Sequence, residues 1–186
     1  MRVIIGVPSG HMVHSDFAWS VMNLAVYTQA VMPHVQTAVV NVKGSLIQKS
    51  RTEIEIQALK LKADALLWLD SDMTFPPDTL ERLLKHGRAV VGCDYARRSP
   101  PFDRVGTGPR GPGLRRVKTL GFGVLLVRAS EITGKPFKVR HDGNKWISED
   151  ESWCSQREVW CDFDLSSEIR HIGMAGYCLQ EDSSTC

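Results

Sequence analysis

Asp70 and Asp72 stand one residue apart, directly after the apolar run Ala65-Leu66-Leu67-Trp68-Leu69. Two carboxylates this close repel each other unless a proton or a cation lies between them. A hard divalent cation with oxygen ligands answers that need, and phosphate oxygens are its customary other ligands. The simpler alternative is that both acids only cap the turn that follows.

The elements around this pair read as alternating strand and helix. Val3–Val7 is a short β-branched run ended by Pro8, Ser9 and Gly10, which predicts a buried first strand and a turn. Ser15 and Asp16 then cap a helix running to about Met32, with Phe17, Val21, Leu24, Thr28 and Val31 on one face. Val35–Val42 is the second strand, and the span 47–62 a second helix with Arg51, Ile54 and Ala58 sharing a side. Ala65–Leu69 is a third, buried strand. Pro76 and Pro77 open a helix that closes at Gly87, and Ala89–Gly92 is a fourth strand. Such alternation implies a parallel sheet covered on both faces.

Beyond Gly92 the regularity breaks. Residues 97–118 hold seven basic residues, one acid, four Gly and four Pro. Arg97, Arg98, Arg104, Arg110, Arg115, Arg116 and Lys118 so spaced predict a mobile cationic loop suited to phosphate backbones. Phe102 is its only aromatic, which gives base stacking little support. TLGFGVLLVRAS follows as a strand with two close glycines, Gly121 and Gly123. Ser148-Glu149-Asp150-Glu151 is a capping-box pattern opening a short helix. Short strands are expected at 158–161 and 169–172, and the end of the chain reads as frayed.

At 186 residues the chain is long enough for one domain with a real core. A net charge of +2 excludes a polycation overall, so the bias sits in the loop. The N-terminal apolar run is too short for a signal peptide, and no stretch approaches a membrane span. Five cysteines with no CxxC pair read as free thiols, with a zinc site among the last four as the alternative. The expected location is cytoplasmic.

Two enzyme classes place D-x-D after an apolar strand. Asp70-Ser71-Asp72-Met73-Thr74 matches the D-x-D-x-T of haloacid-dehalogenase-like phosphatases literally, with Asp70 as nucleophile. In those enzymes, however, that strand is normally the first, and here two strand–helix units precede it. The order fits glycosyltransferases of the GT-A fold better. The sequence resembles the family 2-like members, especially short versions common in phage genomes, over roughly residues 2–175. Four pieces carry this: "VIIGVPSG", "KSRTEIEIQALKLKADALLWLDSDMTFPPDTLERLL", "TLGFGVLLVRAS", and "ISEDESWCSQREVWCDFDLSSEIRHIG" with its terminal His-x-Gly.

The resemblance implies a GT-A (Rossmann-like) α/β fold with a mostly parallel central sheet and helices on both faces. It would be a single compact domain over 1–175, with 93–118 as a flexible basic acceptor loop and 176–186 as a tail. It implies a nucleotide-sugar donor, a UDP-sugar first, and Mn²⁺ or Mg²⁺. Pro8 and Ser9 would lie near the base; Arg51 would reach the base or diphosphate. Asp70 would contact the ribose or a metal-bound water, and Ser71 would belong to the donor-binding set. Asp72, Asp70 and His171 would hold the metal, His171 being otherwise an ordinary strand-end histidine. Gly121 and Gly123 would let the backbone approach the sugar; tight packing is the plainer reading. Asp150 would be the general base, with Glu149 beside it orienting a sugar hydroxyl or the metal shell. The plainer reading of these acids is a helix cap, since acids belong in a first helical turn; three in succession exceed what capping needs, and their repulsion would raise one pKa towards a useful range. Attack opposite the leaving group would invert the anomeric centre. His11 and His14 either line the site or are solvated.

Little chain follows His171 to build an acceptor subdomain, so the basic loop is the expected acceptor grip. A hydroxymethylated pyrimidine in phage DNA, in the host cytoplasm, is one acceptor; glycans and proteins remain open. A non-catalytic nucleic-acid-binding scaffold is the alternative from another class.

Overall fold

The structure is a computed structural model that describes residues 1–98 and 100–173 and the backbone of 176–177. The chain opens with β1 (Arg2–Ser9), α1 (Ser15–Val31), β2 (Gln36–Lys43), α2 (Ile47–Lys60) and β3 (Ala65–Leu69). These are the expected elements, with bounds shifted by a residue or two. Their strands pair in parallel, Val3 level with both Thr37 and Ala65. Period-two alternation sends Ile5 and Leu67 to one face and Ile4, Leu66 and Trp68 to the other. α1 covers the first face through Phe17 and Leu24, and α2 covers the second through Ile54 and Ala58.

The first helix starts differently from expectation. His14 is its N-cap, and its ring Nδ1 accepts from the Asp16 amide. An imidazole acceptor thus does the work expected of Ser15 or Asp16. Val31 is exposed, so the buried stripe ends at Thr28.

After β3 come β4 (Met73–Thr74), α3 (Thr79–Lys85) and β5 (Val90–Gly92). Gly87 closes α3 with a φ of +63°, which a Cβ would strain. β6 (Leu114–Val117) lies inside the segment expected to be a mobile loop. It is a sheet-edge strand paired antiparallel with β10 (Val159–Asp162). Arg115 and Arg116 hide it from a pattern reading, because only Val117 of its four residues is buried. β7 (Val124–Arg128) breaks the run of parallel strands. It runs antiparallel between β3 and β5, giving the order β2-β1-β3-β7-β5-β10-β6. Five of the seven strands point one way, so the central sheet is mostly parallel, as expected, with β7 and β6 antiparallel.

A hairpin of β8 (Arg140–His141) and β9 (Trp146–Ile147) leads into α4 (Glu149–Cys154), which starts at the capping Ser148 as expected. After β10 a single turn, α5 (Phe163–Ser166), precedes β11 (Arg170–Ile172) and β12 (Gly176–Tyr177). β11 pairs antiparallel with β4 and β12 in a small second sheet. Trp68, Phe122, Phe137 and Trp153 pack between the central sheet and α4, Phe122 lying 5.2 Å from Trp153 and 5.6 Å from Trp68 between ring centroids. Truncating one such buried ring costs about 3–5 kcal/mol. Cys93, Cys154 and Cys161 are buried free thiols, and Cys178 and Cys186 lie outside the described residues. Among the described residues no helix is long and apolar enough to cross a membrane.

Candidate functional site at the carboxyl end of the central strands

The sheet register brings the candidate residues to one edge. Gly6 is level with Trp68, so Pro8 and Ser9 end β1 beside Asp70 and Ser71. In open α/β sheets this carboxyl edge is where ligands bind. Ser9 is pinned there: its Oγ accepts from Asn41 Nδ2 at 2.8 Å, and that amide also donates to Val7 O at 2.9 Å. The turn after Asp70 is tied to the loop after β1, with His14 N–H donating to Ser71 O at 3.4 Å.

Arg51 comes up from α2 and is 3% exposed. Its Nη1 donates to Glu149 Oε1 at 2.9 Å, and its Nη2 donates to both oxygens of Asp70 at 3.1 and 3.2 Å. The guanidinium also lies 4.7 Å from the Phe122 ring centroid. Arg51 therefore sits beneath the acids and joins two of them. Both of its terminal nitrogens are committed to these carboxylates. Glu149 in turn spends a carboxylate oxygen on Arg51. Burial raises the Asp70 carboxyl above its ordinary range; Arg51 opposes this, and the charges of Asp72 and Asp150 add to it. Glu149 is likewise raised by burial, against Arg51 and with help from Asp150.

Asp150 follows on the half-exposed first turn of α4. Its Oδ1 accepts from the Ser148 hydroxyl and from the Glu151 amide. Both contacts belong to the cap, and both go to the same oxygen.

Asp72 and His171 meet through the small sheet. β4 and β11 put His171 level with Met73, and Ile172 N–H donates to Asp72 O at 2.7 Å. His171 Nε2 then lies 3.3 Å from Asp72 Oδ2, while its Nδ1 lies 3.0 Å from Ala96 O. A carbonyl oxygen only accepts, so Nδ1 carries a hydrogen. With a second ring proton, Nε2 donates to Asp72 Oδ2 as an ion pair; in the neutral ring it turns a lone pair toward that oxygen instead. A cation between them relieves that opposition. A ring N–H donated to a backbone carbonyl is also how metal-ligating histidines are oriented. Burial works to raise the Asp72 carboxyl, but the hydrogen bond and charge of His171 and the charge of Arg98 outweigh it and hold Asp72 below its ordinary range. Among the described residues no three His, Cys, Asp or Glu side chains form a ready metal cage. A cation held by Asp72 and His171 therefore needs further ligands from a substrate or water.

Gly121 and Gly123 are glycines because of Tyr95. A Cβ on Gly123 would come within 2.6 Å of the Tyr95 ring, and one on Gly121 would meet the phenol oxygen. Tyr95 is 4% exposed. Its hydroxyl accepts from the Gly123 amide at 3.0 Å, and Gly123 O accepts from the Asp70 amide at 3.2 Å. Its ring lies edge-on to His171 at 5.3 Å. The close approach that two glycines suggest is thus made by a side chain of the protein. Tyr95 touches both halves of the site, and sequence pattern alone gave no sign of it.

The basic loop is held by a buried acid that pattern reading also missed. Asp94, fully buried after β5, accepts from the Tyr95 and Gly106 amides at 2.9 and 2.8 Å and pairs with Arg104. Arg98 Nη1 reaches Asp72 Oδ2 at 2.9 Å. Arg115 Nε donates to Pro112 O at 3.2 Å, and Arg116 faces Glu158 at 4.0 Å. Part of the cationic surface expected for an acceptor is therefore engaged within the fold, Arg104 most completely. His11 is exposed on the loop before α1. Trp146, 73% exposed on the hairpin before α4 with its ring edge-on to His141, is a further exposed side chain that the sequence did not single out.

No protein-family profile matches the chain, and no curated protein matches it in sequence. Solved structures do match. A197 from STIV aligns over 100% of this chain and 98% of its own, with a TM-score of 0.62 at 15% identity. That likeness shows a shared fold. A glycosyltransferase involved in the glycosylation of the major capsid of PBCV-1 aligns over 70% of this chain and 61% of its own, with a TM-score of 0.43 at 12% identity. The nucleoside-diphosphate-sugar pyrophosphorylase from Vibrio cholerae RC9 aligns over 91% and 94%, with a TM-score of 0.49 at 11% identity. The fold is α/β and Rossmann-like; the last two likenesses are too loose to carry an argument about the site.

Proposed function

We propose that this protein is a glycosyltransferase of GT-A type, moving a sugar from a nucleotide-sugar donor to an acceptor hydroxyl with a divalent cation, Mn²⁺ or Mg²⁺. One observation carries the reading: Asp72 Oδ2 and His171 Nε2 face each other at 3.3 Å at the carboxyl edge of β3, with Nδ1 already committed to a carbonyl. The donor set, one carboxylate and one imidazole beside open solvent, suits a cation that takes its remaining ligands from phosphates. Bound there, the cation supplies positive charge that stabilises a departing nucleoside diphosphate.

The rest of the work falls to the chain. Pro8, Ser9 and Ser71 line the edge where the nucleoside lies, and Asp70 meets the ribose. Arg51 holds Asp70 and Glu149 in place, and Tyr95 holds the turn at Gly123 against Asp70. Asp150 takes the proton of the acceptor hydroxyl. The acceptor oxygen bonds to the anomeric carbon, the bond from that carbon to the diphosphate oxygen breaks, and the diphosphate leaves with the electron pair. A positioned base contributes on the order of 10²–10⁴-fold. Entry of the acceptor from the Asp150 side, opposite the leaving group, inverts the anomeric centre.

The phosphatase reading asks Asp70 to attack phosphorus. Both of its oxygens accept from Arg51, which blunts a nucleophile, so the geometry favours sugar transfer. For the acceptor, DNA with hydroxymethylated pyrimidines remains the proposal the loop suggests. With Arg104 committed to Asp94 and Arg98 to Asp72, it rests on exposed cations such as Arg97 and Lys118.

The test is a panel of sugar nucleotides, each with and without Mn²⁺, read by thermal shift and by release of nucleoside diphosphate. The reading expects one donor to raise the melting point only with the cation present, and to be turned over by wild type but not by Asp150→Asn. Hydrolysis of aryl phosphates without any sugar transfer would replace it with the phosphatase.

A further inference from the structure

Arg98 occupies a peculiar place in this site. It stands two residues after Ala96, whose carbonyl orients His171. Its Nη1 lies 2.9 Å from Asp72 Oδ2, the same oxygen that His171 Nε2 approaches at 3.3 Å. The guanidinium is thus a positive charge set where a cation shared by Asp72 and His171 would interact. Its side chain is 56% exposed, so no packing fixes it there.

The base from which it hangs is fixed. Ala96 bridges to Arg104, Arg97 N–H donates to Asp103 O at 2.8 Å, and buried Asp94 anchors this short hairpin through the Tyr95 and Gly106 amides. A rotation of the Arg98 side chain therefore moves its head group without moving its root.

We propose that Arg98 is a displaceable counter-ion of Asp72: it holds the carboxylate while no divalent cation is bound, yields to the cation, and then binds the diphosphate of the donor. This rests on the reading of Asp72 and His171 as cation ligands. Two cations at one carboxylate oxygen repel, so a metal ion and the Arg98 guanidinium exclude each other there. Once released, the guanidinium stays within side-chain reach of Asp72 and meets the nearest anion. A planar fork of N–H donors matches phosphate oxygens, which a lysine does not reproduce. The exchange makes donor binding depend on the cation twice, through its own phosphate contacts and through the arginine it sets free.

The exchange predicts opposite effects of one substitution. Exposed ion pairs of this kind compete only weakly, so Arg98→Ala should bind Mn²⁺ alone about two- to fivefold more tightly than wild type. With Mn²⁺ saturating, the same variant should bind UDP about tenfold more weakly, for loss of charge-assisted bonds. Arg98→Lys should fall between on both axes. Isothermal titration of the full chain with Mn²⁺, then with UDP plus Mn²⁺, reads both; far-UV circular dichroism checks that the variants fold. Mn²⁺ binding that is absent, or unchanged in Asp72→Asn, overturns the underlying reading of the cation site. Asp72-dependent Mn²⁺ binding that Arg98→Ala leaves unchanged or weakens overturns the counter-ion role alone. Tighter Mn²⁺ binding with unchanged UDP affinity overturns the transfer to the diphosphate.

Discussion

A single nitrogen of Arg51, Nη2, serves both carboxylate oxygens of Asp70, at 3.1 and 3.2 Å, from a side chain that is 3% exposed. The other terminal nitrogen serves Glu149. Removing this arginine leaves two acids in a poorly solvated place without their shared cation. Arg51→Met is expected to destabilise the protein by about 3–5 kcal/mol, the range for breaking a buried pair from one side. Urea unfolding measures it. A loss below about 1 kcal/mol would mean that solvent, and not Arg51, neutralises these acids.

Tyr95 and Gly123 are fitted to each other. Gly123→Ala places a methyl carbon against the phenol ring, and overpacking of this kind costs about 1–3 kcal/mol. In the background of Tyr95→Ala the same glycine substitution should cost much less, since the two residues are in contact and their effects do not add. A double-mutant cycle with equal costs in both backgrounds would show that something other than Tyr95 requires the glycine.

Much of this architecture was legible in the chain itself. β1, α1, β2, α2 and β3 came from period-two and period-3.6 patterns, and Ser148 with its acids came from cap chemistry, because each signal lies within a few residues. The position of β7 between β3 and β5 did not, since sheet order is set by pairing partners about 35–60 residues apart. β6 was missed because an edge strand with two exposed arginines has no buried face to betray it. At the site, the sequence supplied Asp70, Asp72, Glu149, Asp150 and His171 as candidates. It did not supply their connections. Arg51 under the acids, Tyr95 against the glycines and Asp94 under the basic loop are long-range contacts with no local signature.

Glu55 offers a pH test away from the site. It is fully buried, its Oε2 accepts from the Gly134 and Thr133 amides at 2.9 and 3.3 Å, and burial raises its pKa against those bonds and the charge of Arg157. A raised folded-state pKa means the folded protein binds this proton more tightly than the unfolded chain. Glu55 thus favours folding most below its unfolded-state pKa, and that advantage is lost as pH rises through the folded-state value. Glu55→Gln removes this slope. Urea unfolding at several pH values from about 4 to 7.5 should find the variant gaining on wild type as pH rises. The variant losing ground with rising pH would reverse the sign and contradict the account.

Three buried thiols should be chemically silent. Burial pushes Cys154 and Cys161 up to about 12 and Cys93 well above its ordinary value. The thiolate is the reactive form. Alkylation at pH 8, followed by peptide mapping, should leave these three unmodified in the native protein and modify all three in denaturant. Rapid native labelling of any of them would place it at the surface.

The central claim is that Asp72 and His171 together hold a divalent cation. Its most direct test is diffraction from crystals of the full chain grown with UDP and Mn²⁺, with data collected at the manganese edge. The account predicts an anomalous peak within coordination distance of Asp72 Oδ2 and His171 Nε2, with diphosphate oxygens completing its ligands. Ordered UDP with no peak between these two side chains, or a peak elsewhere while they still face each other, would contradict it.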